Sequence, residues 1–356
     1  MIKTTIFDFL QNYHNKRYHT PGHKGNLPFG LGALDLTEID QGDLFPGALV
    51  DKAQARTAQL FGVGHCRYLV GGSSLGIKAA LMAVGEDVLA FGSVHKSVYD
   101  GCKLAGKNLF LCGATGTSVE TTQGCTQPSQ LAASLTVQDL KDAFAKYPTV
   151  CAVAFTSPDY FGRVIEREVW EFARSQKKII LNDAAHGAHF LFAGLQDFAY
   201  FGFADITITS AHKTLATLTQ GALSLVANEG LLQRFEHCLD LLGTTSPSYL
   251  LLASIEYGVE YAYHNQKKYV ALQEVLASLK QSIYTLDNAD YTRLVVDCKH
   301  YGMCGKQVFD ALVQRGIVAE MYTEQYLVFI VTICDSVADI ETLQKALHDI
   351  LKITNQ

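Results

Sequence analysis

A lysine between a histidine and a threonine lies near the end of the segment Ile206-Thr207-Ile208-Thr209-Ser210-Ala211-His212-Lys213-Thr214-Leu215. The segment starts as an alternation of apolar and hydroxyl residues, which is a strand pattern. Lys213 therefore falls just past a strand end, where an amine among hydroxyls and an imidazole is placed to form an imine with a carbonyl compound. Three other groupings carry complementary chemistry. Gly71-Gly72-Ser73-Ser74 separates a short apolar run, Cys66 to Val70, from a helical pattern. The free N–H groups and the positive end of the dipole at such a helix start attract an anion. Asp183 stops the apolar run that begins at Lys178, and its carboxylate can pair with a ring nitrogen. His95 opens a further helix, and its imidazole can stack on a ring face.

Each residue alone has a plainer reading. Lys213 reads as a surface lysine, Asp183 as a turn or cap residue, Ser73 as the cap of a tight turn and His95 as a satisfied structural histidine. The set together is what pyridoxal phosphate (PLP) requires. The lysine forms the Schiff base, the Gly/Ser turn holds the phosphate, and the carboxylate keeps the pyridine nitrogen protonated so that the ring withdraws electrons. His186 and His189 stand three residues apart, but no carboxylate or cysteine completes a metal ligand set, so no metal is expected.

The elements that position these residues alternate. Apolar strands at 66–70, 88–91, 109–112, 150–156, 178–183, 205–210 and 222–227 are separated by helical patterns at 49–61, 74–84, 136–147, 166–175 and 231–242, with a further helix opening at His95. Continuous apolar strands alternating with helices predict an α/β fold with a mostly parallel central sheet buried on both faces. Ligands bind such sheets at the carboxyl ends of the strands, and Ser73, His95, Tyr160, Asp183 and Lys213 all fall there. Residues 1–47 read as an irregular Gly/Pro/His-rich segment that contributes to the active site and a dimer, with the polar turn His19-Thr20-Pro21-Gly22-His23-Lys24-Gly25. In this pattern Asp40, Asp43 and Phe45 lead into the first helix. Residues 48–243 form the PLP-binding large domain. In residues 244–356 a connecting helix over 248–281, polar at Glu256 and Glu260, precedes a small α+β C-terminal domain with strands at 291–297 and 326–333. The polar stretch 113–134 is long for a loop and is therefore functional or mobile.

Composition narrows the class. The 356 residues are 48% hydrophobic but only 18% charged, with a net charge of −6. No basic run supports a nucleic-acid partner. Nine scattered cysteines without a Cys-x-x-Cys pair indicate reduced thiols. The amino terminus has no signal-peptide layout, and no apolar stretch is long enough to span a bilayer. A soluble cytoplasmic protein is expected.

Five segments, in order, resemble the PLP-dependent ornithine/lysine/arginine decarboxylases of the aspartate-aminotransferase-like fold (fold type I). They are the turn at 19–25, His95-Lys96-Ser97-Val98-Tyr99, Asp183-Ala184-Ala185-His186-Gly187-Ala188-His189-Phe190, Ser210-Ala211-His212-Lys213-Thr214-Leu215 and Thr244-Thr245-Ser246-Pro247. The resemblance implies that Lys213 carries the Schiff base, that Asp183 pairs with the pyridine nitrogen, and that Ala185 and His95 lie on opposite faces of the ring. It implies that His186 also belongs to the cofactor site, that Ser73, Ser74, Ser210 and His212 surround the phosphate, and that Thr245 or Ser246 reaches a neighbouring subunit's phosphate in a homodimer with sites at the interface. Glu320, with His23 as a second substrate residue, is expected to meet an amino acid substrate, Glu320 taking the distal cation of a basic one. Lys213 or His212 would return a proton to Cα.

The implied reaction is decarboxylation of arginine, lysine or ornithine to the amine and CO2. Aminotransfer, racemisation, aldol cleavage or β-elimination on the same cofactor, and a non-catalytic PLP-fold protein, are the alternatives. The chain departs from the family in reading Gly-Gly-Ser-Ser where Asn-Gly-Thr-Ser is usual, and in having Ala184 where an acidic residue usually follows the aspartate. It also lacks the wing domain and the larger C-terminal domain of the long members, so a dimer is expected rather than a larger ring.

Overall fold

The structure, a computed structural model, describes residues 2–14, 17, 20–26, 30–37, 46–91, 94–112 and 134–353. Seven strands build the main sheet: β1 (His65–Leu69), β2 (Asp87–Phe91), β3 (Asn108–Cys112), β4 (Ala152–Thr156), β5 (Ile179–Asp183), β6 (Ile206–Thr209) and β7 (Ala222–Val226). Their order is β1-β7-β6-β5-β4-β2-β3. The four pairs from β3 across to β6 are parallel, whereas β7 runs against both β6 and β1. With β7 alone reversed, β1 to β6 all end at the same edge. The expected α/β architecture is therefore present with one antiparallel strand, a detail to which the pattern of apolar residues is blind.

Both faces of the sheet are covered, which is why strands such as β2 and β4 read as apolar runs rather than alternations. Helices Gly72–Ala83, Lys96–Leu104 and Glu229–Leu242 pack Ile77, Leu81, Val98 and Phe235 onto Ala90, Ala154, Leu181 and Ile208. On the opposite face, helices Val137–Lys146 and Arg167–Ser175 pack Leu140, Val169 and Trp170 onto Leu89, Val153, Phe155 and Ile180. The Thr136 hydroxyl and Asp139 carboxylate form a reciprocal cap on the first of these two helices.

A second, antiparallel sheet follows in the order β8-β10-β9, where β8 is Arg293–Asp297, β9 is Met321–Tyr322 and β10 is Tyr326–Ile330. Helices Gly305–Val313 and Val337–Leu351 close its core through Val308, Leu312 and Leu347 against Leu294, Val296 and Leu327. The two-residue β9 is too short to leave an apolar pattern.

Three expectations are corrected here. The stretch 248–281 is two helices, Tyr249–His264 and Gln266–Ser282, parted at Asn265. Glu256 and Glu260, expected on solvated faces, are buried. Glu256 accepts hydrogen bonds from the backbone N–H groups of Thr5 (2.6 Å) and Ile6 (2.7 Å). These belong to the start of a helix, Ile6–Asn12, inside the segment expected to be irregular. A first helical turn has N–H groups with no partner of their own, and here a buried carboxylate satisfies two of them. His19, Asp40, Asp43, Phe45 and nearly all of the polar stretch 113–134 lie outside the described residues.

Candidate active site

The carboxyl edge of the main sheet gathers the polar groups. β5 delivers Asp183 as its last residue, and β6 runs into the four-residue helix Ala211–Thr214 that carries Lys213. β2 is followed by His95, the N-cap of helix Lys96–Leu104, whose Nδ1 accepts the Ser97 N–H at 3.2 Å and lies 2.8 Å from the Ser97 hydroxyl. β1 is followed by the turn that starts helix Gly72–Ala83. Gly72 there has φ +73°, a conformation that favours glycine. No side chain caps this helix start, which leaves Ser73, buried, and Ser74, half-buried, in an uncapped first turn.

Lys213 Nζ lies 3.1 Å from His186 Nε2, and His186 Nδ1 lies 3.1 Å from Arg293 Nη2. Burial lowers the Lys213 pKa; Asp183 opposes this and Arg293 adds to it. Burial, then Lys213 and Arg293, hold the His186 pKa well below the ordinary histidine value, so its ring is neutral. Asp183 is buried, and its Oδ1 accepts the Ala185 N–H at 3.1 Å. Burial raises the pKa of its carboxyl above the ordinary value, with Lys213 and the Ala185 N–H opposing only in part. His95 also has a lowered pKa, from burial first, with Asp183 opposing and Lys213 adding.

Other sequence-selected residues fall at graded distances from this centre. Ser210 is fully buried at the N-cap of the Lys213 helix, and its hydroxyl has no partner among the described residues. His212 Nδ1–H donates to the Gly221 carbonyl at 2.9 Å, which leaves Nε2 as the second face of the ring. Ala185 is buried beside Asp183. Glu320 accepts a short hydrogen bond from the Tyr160 hydroxyl, and the Tyr160 ring meets His186 edge-on at 4.5 Å. His23 pairs instead with Asp35, Nε2 to Oδ2 at 3.1 Å, and its Nδ1 accepts the Gly25 N–H. Thr245 and Ser246 are exposed in the turn before helix Tyr249–His264, outside the bonded group around Lys213.

Two participants escaped the sequence reading. Arg293 is fully buried at the start of β8, with Nε and Nη1 unpartnered among the described residues. The one available signal was a lone charge opening an apolar run, Arg293-Leu294-Val295-Val296. Asp290 is buried against His189, whose Nε2 lies 3.1 Å from Oδ1, and Thr292 donates to the same oxygen at 2.6 Å. Burial would raise the Asp290 carboxyl, but the His189 charge and hydrogen bond outweigh it and hold the pKa at about 2.

These residues fit PLP on three structural counts. The uncapped Gly72–Ala83 start and the orphaned Ser210 hydroxyl supply anion-binding donors at one end. Asp183, buried with a single backbone N–H as its hydrogen-bond donor, matches a protonated ring nitrogen at the other. Lys213, bonded to His186, supplies an amine with a lowered pKa. Residues 33–298, some three quarters of the chain, match the family described as Orn/Lys/Arg decarboxylase, major domain. The chain belongs to the Orn/Lys/Arg decarboxylase family.

Relatives agree with this membership. An arginine decarboxylase of Bacillus cereus is 27% identical over 98% of this chain and 82% of its own, and one of Bacillus subtilis is 29% identical over 98% and 77%. The fold is shared with a lysine decarboxylase of Francisella novicida at TM-score 0.78 and 14% identity. That likeness covers 98% of this chain and 59% of the other, so the chain spans under two thirds of that protein's length. It is shared as well with an SPT structure holding PLP, at TM-score 0.66 and 13% identity over 98% and 84%. PLP is the cofactor of this Orn/Lys/Arg decarboxylase family member, as its sequence resemblance implied.

Proposed function

We propose that the protein removes the α-carboxylate of a basic amino acid as CO2 and releases the amine. The observation that carries this reading is the meeting of Lys213, Asp183 and the uncapped phosphate turn at one sheet edge of an Orn/Lys/Arg decarboxylase chain. PLP, when bound, takes up the electrons left on Cα as the carboxylate departs. The chain's own residues do the rest. Asp183 keeps the ring nitrogen protonated from its buried place at the end of β5. Ala185 and His95 flank the ring. Ser73, Ser74, Ser210 and His212 hold the phosphate, and Lys213 Nζ is the amine that links to the cofactor. Lys213, 3.1 Å from His186 Nε2, then returns a proton to Cα, with His212 as the other candidate donor.

The basic substrate class rests on Glu320, whose exposed carboxylate reaches the site through Tyr160. An anion there suits the distal ammonium or guanidinium of lysine, ornithine or arginine. We take His23, held by Asp35, as a second substrate neighbour. We infer a homodimer in which Thr245 or Ser246 completes the phosphate site of the second subunit. We take residues 48–243 as the cofactor domain and 244–356 as the substrate-shaping part, working in the cytoplasm. Among the described residues no helix is long and apolar enough to cross a membrane.

The test incubates the PLP-loaded protein with arginine, lysine, ornithine and neutral amino acids and measures CO2, amine and keto acid. CO2 and amine from a basic substrate are expected. Keto acid without CO2 would replace decarboxylation with aminotransfer. Borohydride reduction followed by peptide mapping should place the cofactor on Lys213, and a label on another lysine would overturn the site assignment.

A further inference from the structure

The contact between the two sheets at this site is a chain of nitrogens: Arg293 Nη2 to His186 Nδ1 at 3.1 Å, then His186 Nε2 to Lys213 Nζ at 3.1 Å. Elementary donor and acceptor rules fix the protons along it. A guanidinium has only donors, so His186 Nδ1 accepts. A neutral imidazole has one acceptor and one donor nitrogen, so His186 carries its proton on Nε2. That N–H points at Lys213 Nζ, which must then offer a lone pair. An ammonium has none.

We infer that Arg293, reaching across from β8, sets the tautomer of His186 and through it holds Lys213 as the uncharged amine that attacks a carbonyl. Arg293 is thus a positioning residue. This inference rests on the reading of Lys213 as the cofactor-linking lysine.

The placement of Arg293 is built rather than incidental. Its side chain is fully buried, yet Nε and Nη1 find no partner among the described residues. Its backbone is tied by Asn288, which donates to the Arg293 carbonyl at 2.9 Å and to the Phe161 carbonyl at 2.7 Å. Gly162, at φ +80°, passes so close that a Cβ there would lie 2.7 Å from Arg293 Cβ. The charges facing the chain from its surroundings agree with the assignment. Lys213 faces Asp183, Arg293 and Glu320, while His186 faces Lys213, Arg293, His189, His95 and the Tyr160 ring. Among the described residues no carboxylate bonds to His186, and the lowering of both its pKa and that of Lys213 follows first from burial.

The experiment uses the apoprotein, so its failure is separate from failure of the cofactor assignment, which the reduction and mapping above decide. Trace acylation over a pH series, followed by mass spectrometry of the Lys213 peptide, gives the titration midpoint of this one amine. In the wild type the midpoint should lie below that of the exposed lysines. In Arg293→Met it should rise, with labelling at pH 8 falling about tenfold, the equivalent of one pKa unit. Arg293→Lys should recover part of the shift. A folded Arg293→Met with an unchanged midpoint would overturn the inference, because a merely structural arginine leaves the amine's titration alone.

Should Arg293→Met fail to fold, nitrogen-15 NMR of the histidines in the wild type decides. The His186 signal is identified by its loss in His186→Gln. A neutral ring protonated on Nε2 at pH 7 supports the relay, and a ring protonated on Nδ1 or on both nitrogens sinks it.

Discussion

His186 and His189 lie three residues apart in one turn after β5, both buried, yet their surroundings are opposite. His186 sits between two nitrogen side chains, the Lys213 amine and the Arg293 guanidinium, with a tyrosine ring on its edge. His189 sits against the Asp290 carboxylate and the Thr292 hydroxyl. Burial and the Arg293 guanidinium favour the neutral imidazole, so His186 is kept as a hydrogen-bond relay with a defined proton. A carboxylate favours a donor ring and is itself held ionised, so His189 acts as a tie between the turn after β5 and the approach to β8. One tripeptide spacing thus divides chemistry from scaffolding, and the partners rather than the histidines decide which is which.

Substitutions can break or sharpen this contrast. The largest effect should come from Lys213→Ala, which removes the amine at the end of the His186 chain. Turnover should fall by about a thousandfold, in line with loss of a positioned proton donor and more. The thermal midpoint should hardly move. Activity that survived intact would dissolve the catalytic half of the comparison.

On the scaffold side, Asp290→Ala leaves His189 and Thr292 facing a void. Breaking such a buried pair costs about 3–5 kcal/mol, read as a lower denaturation midpoint. The Asp290 carboxyl is depressed to about 2 in the fold. Its stabilisation is therefore complete above the ordinary aspartate value, and is lost as pH falls through about 4 toward 2. Acid titration of stability should be steep in that window for wild type and flatter in Asp290→Asn.

A smaller effect is expected from His186→Gln, where kcat should fall about tenfold or more with a thermal midpoint close to wild type. Equal damage to stability and rate would mean that His186, too, is scaffolding. The smallest should be Glu320→Gln. KM for basic amino acids should rise by about tenfold, comparable to loss of one charge-assisted hydrogen bond, with neutral substrates unaffected. An equal loss on every substrate would remove Glu320 from recognition.

The catalytic half was more legible in sequence than the scaffold half, and the reason is local. Asp183 closes β5, and Ser73, His95 and Lys213 lie a few residues past the ends of β1, β2 and β6, so finding the strand ends points to these candidates. Arg293 gave only a charge at the head of an apolar run, which reads equally as a solvent-facing strand start. Its role exists only once β8 lies beside the turn at 186, more than 100 residues earlier in the chain. Tyr160 and Glu320 are separated by 160 residues, and no period links them. Glu256 was misjudged because a carboxylate on a helix normally faces water, and its two backbone donors come from the far end of the chain. The reversed direction of β7 left no trace either, since burial on both faces gives parallel and antiparallel strands the same composition.

The position of β1 has a consequence for how the chain is made. This strand, over which the phosphate turn is hung, sits at the edge of the sheet, and its one strand partner is β7, with Leu69 opposite Ala222. A ribosome that has just released β1 must add about 150 more residues before that partner exists. Through that interval the strand waits unpaired, while the parallel strands β2 to β6 emerge and pair among themselves. Contacts so distant in sequence form slowly and expose the chain to misassociation. The anion-binding turn is among the earliest parts of the site to be synthesised, yet its strand is among the last to be secured, and the strand that secures it is the only one in the sheet that points the other way.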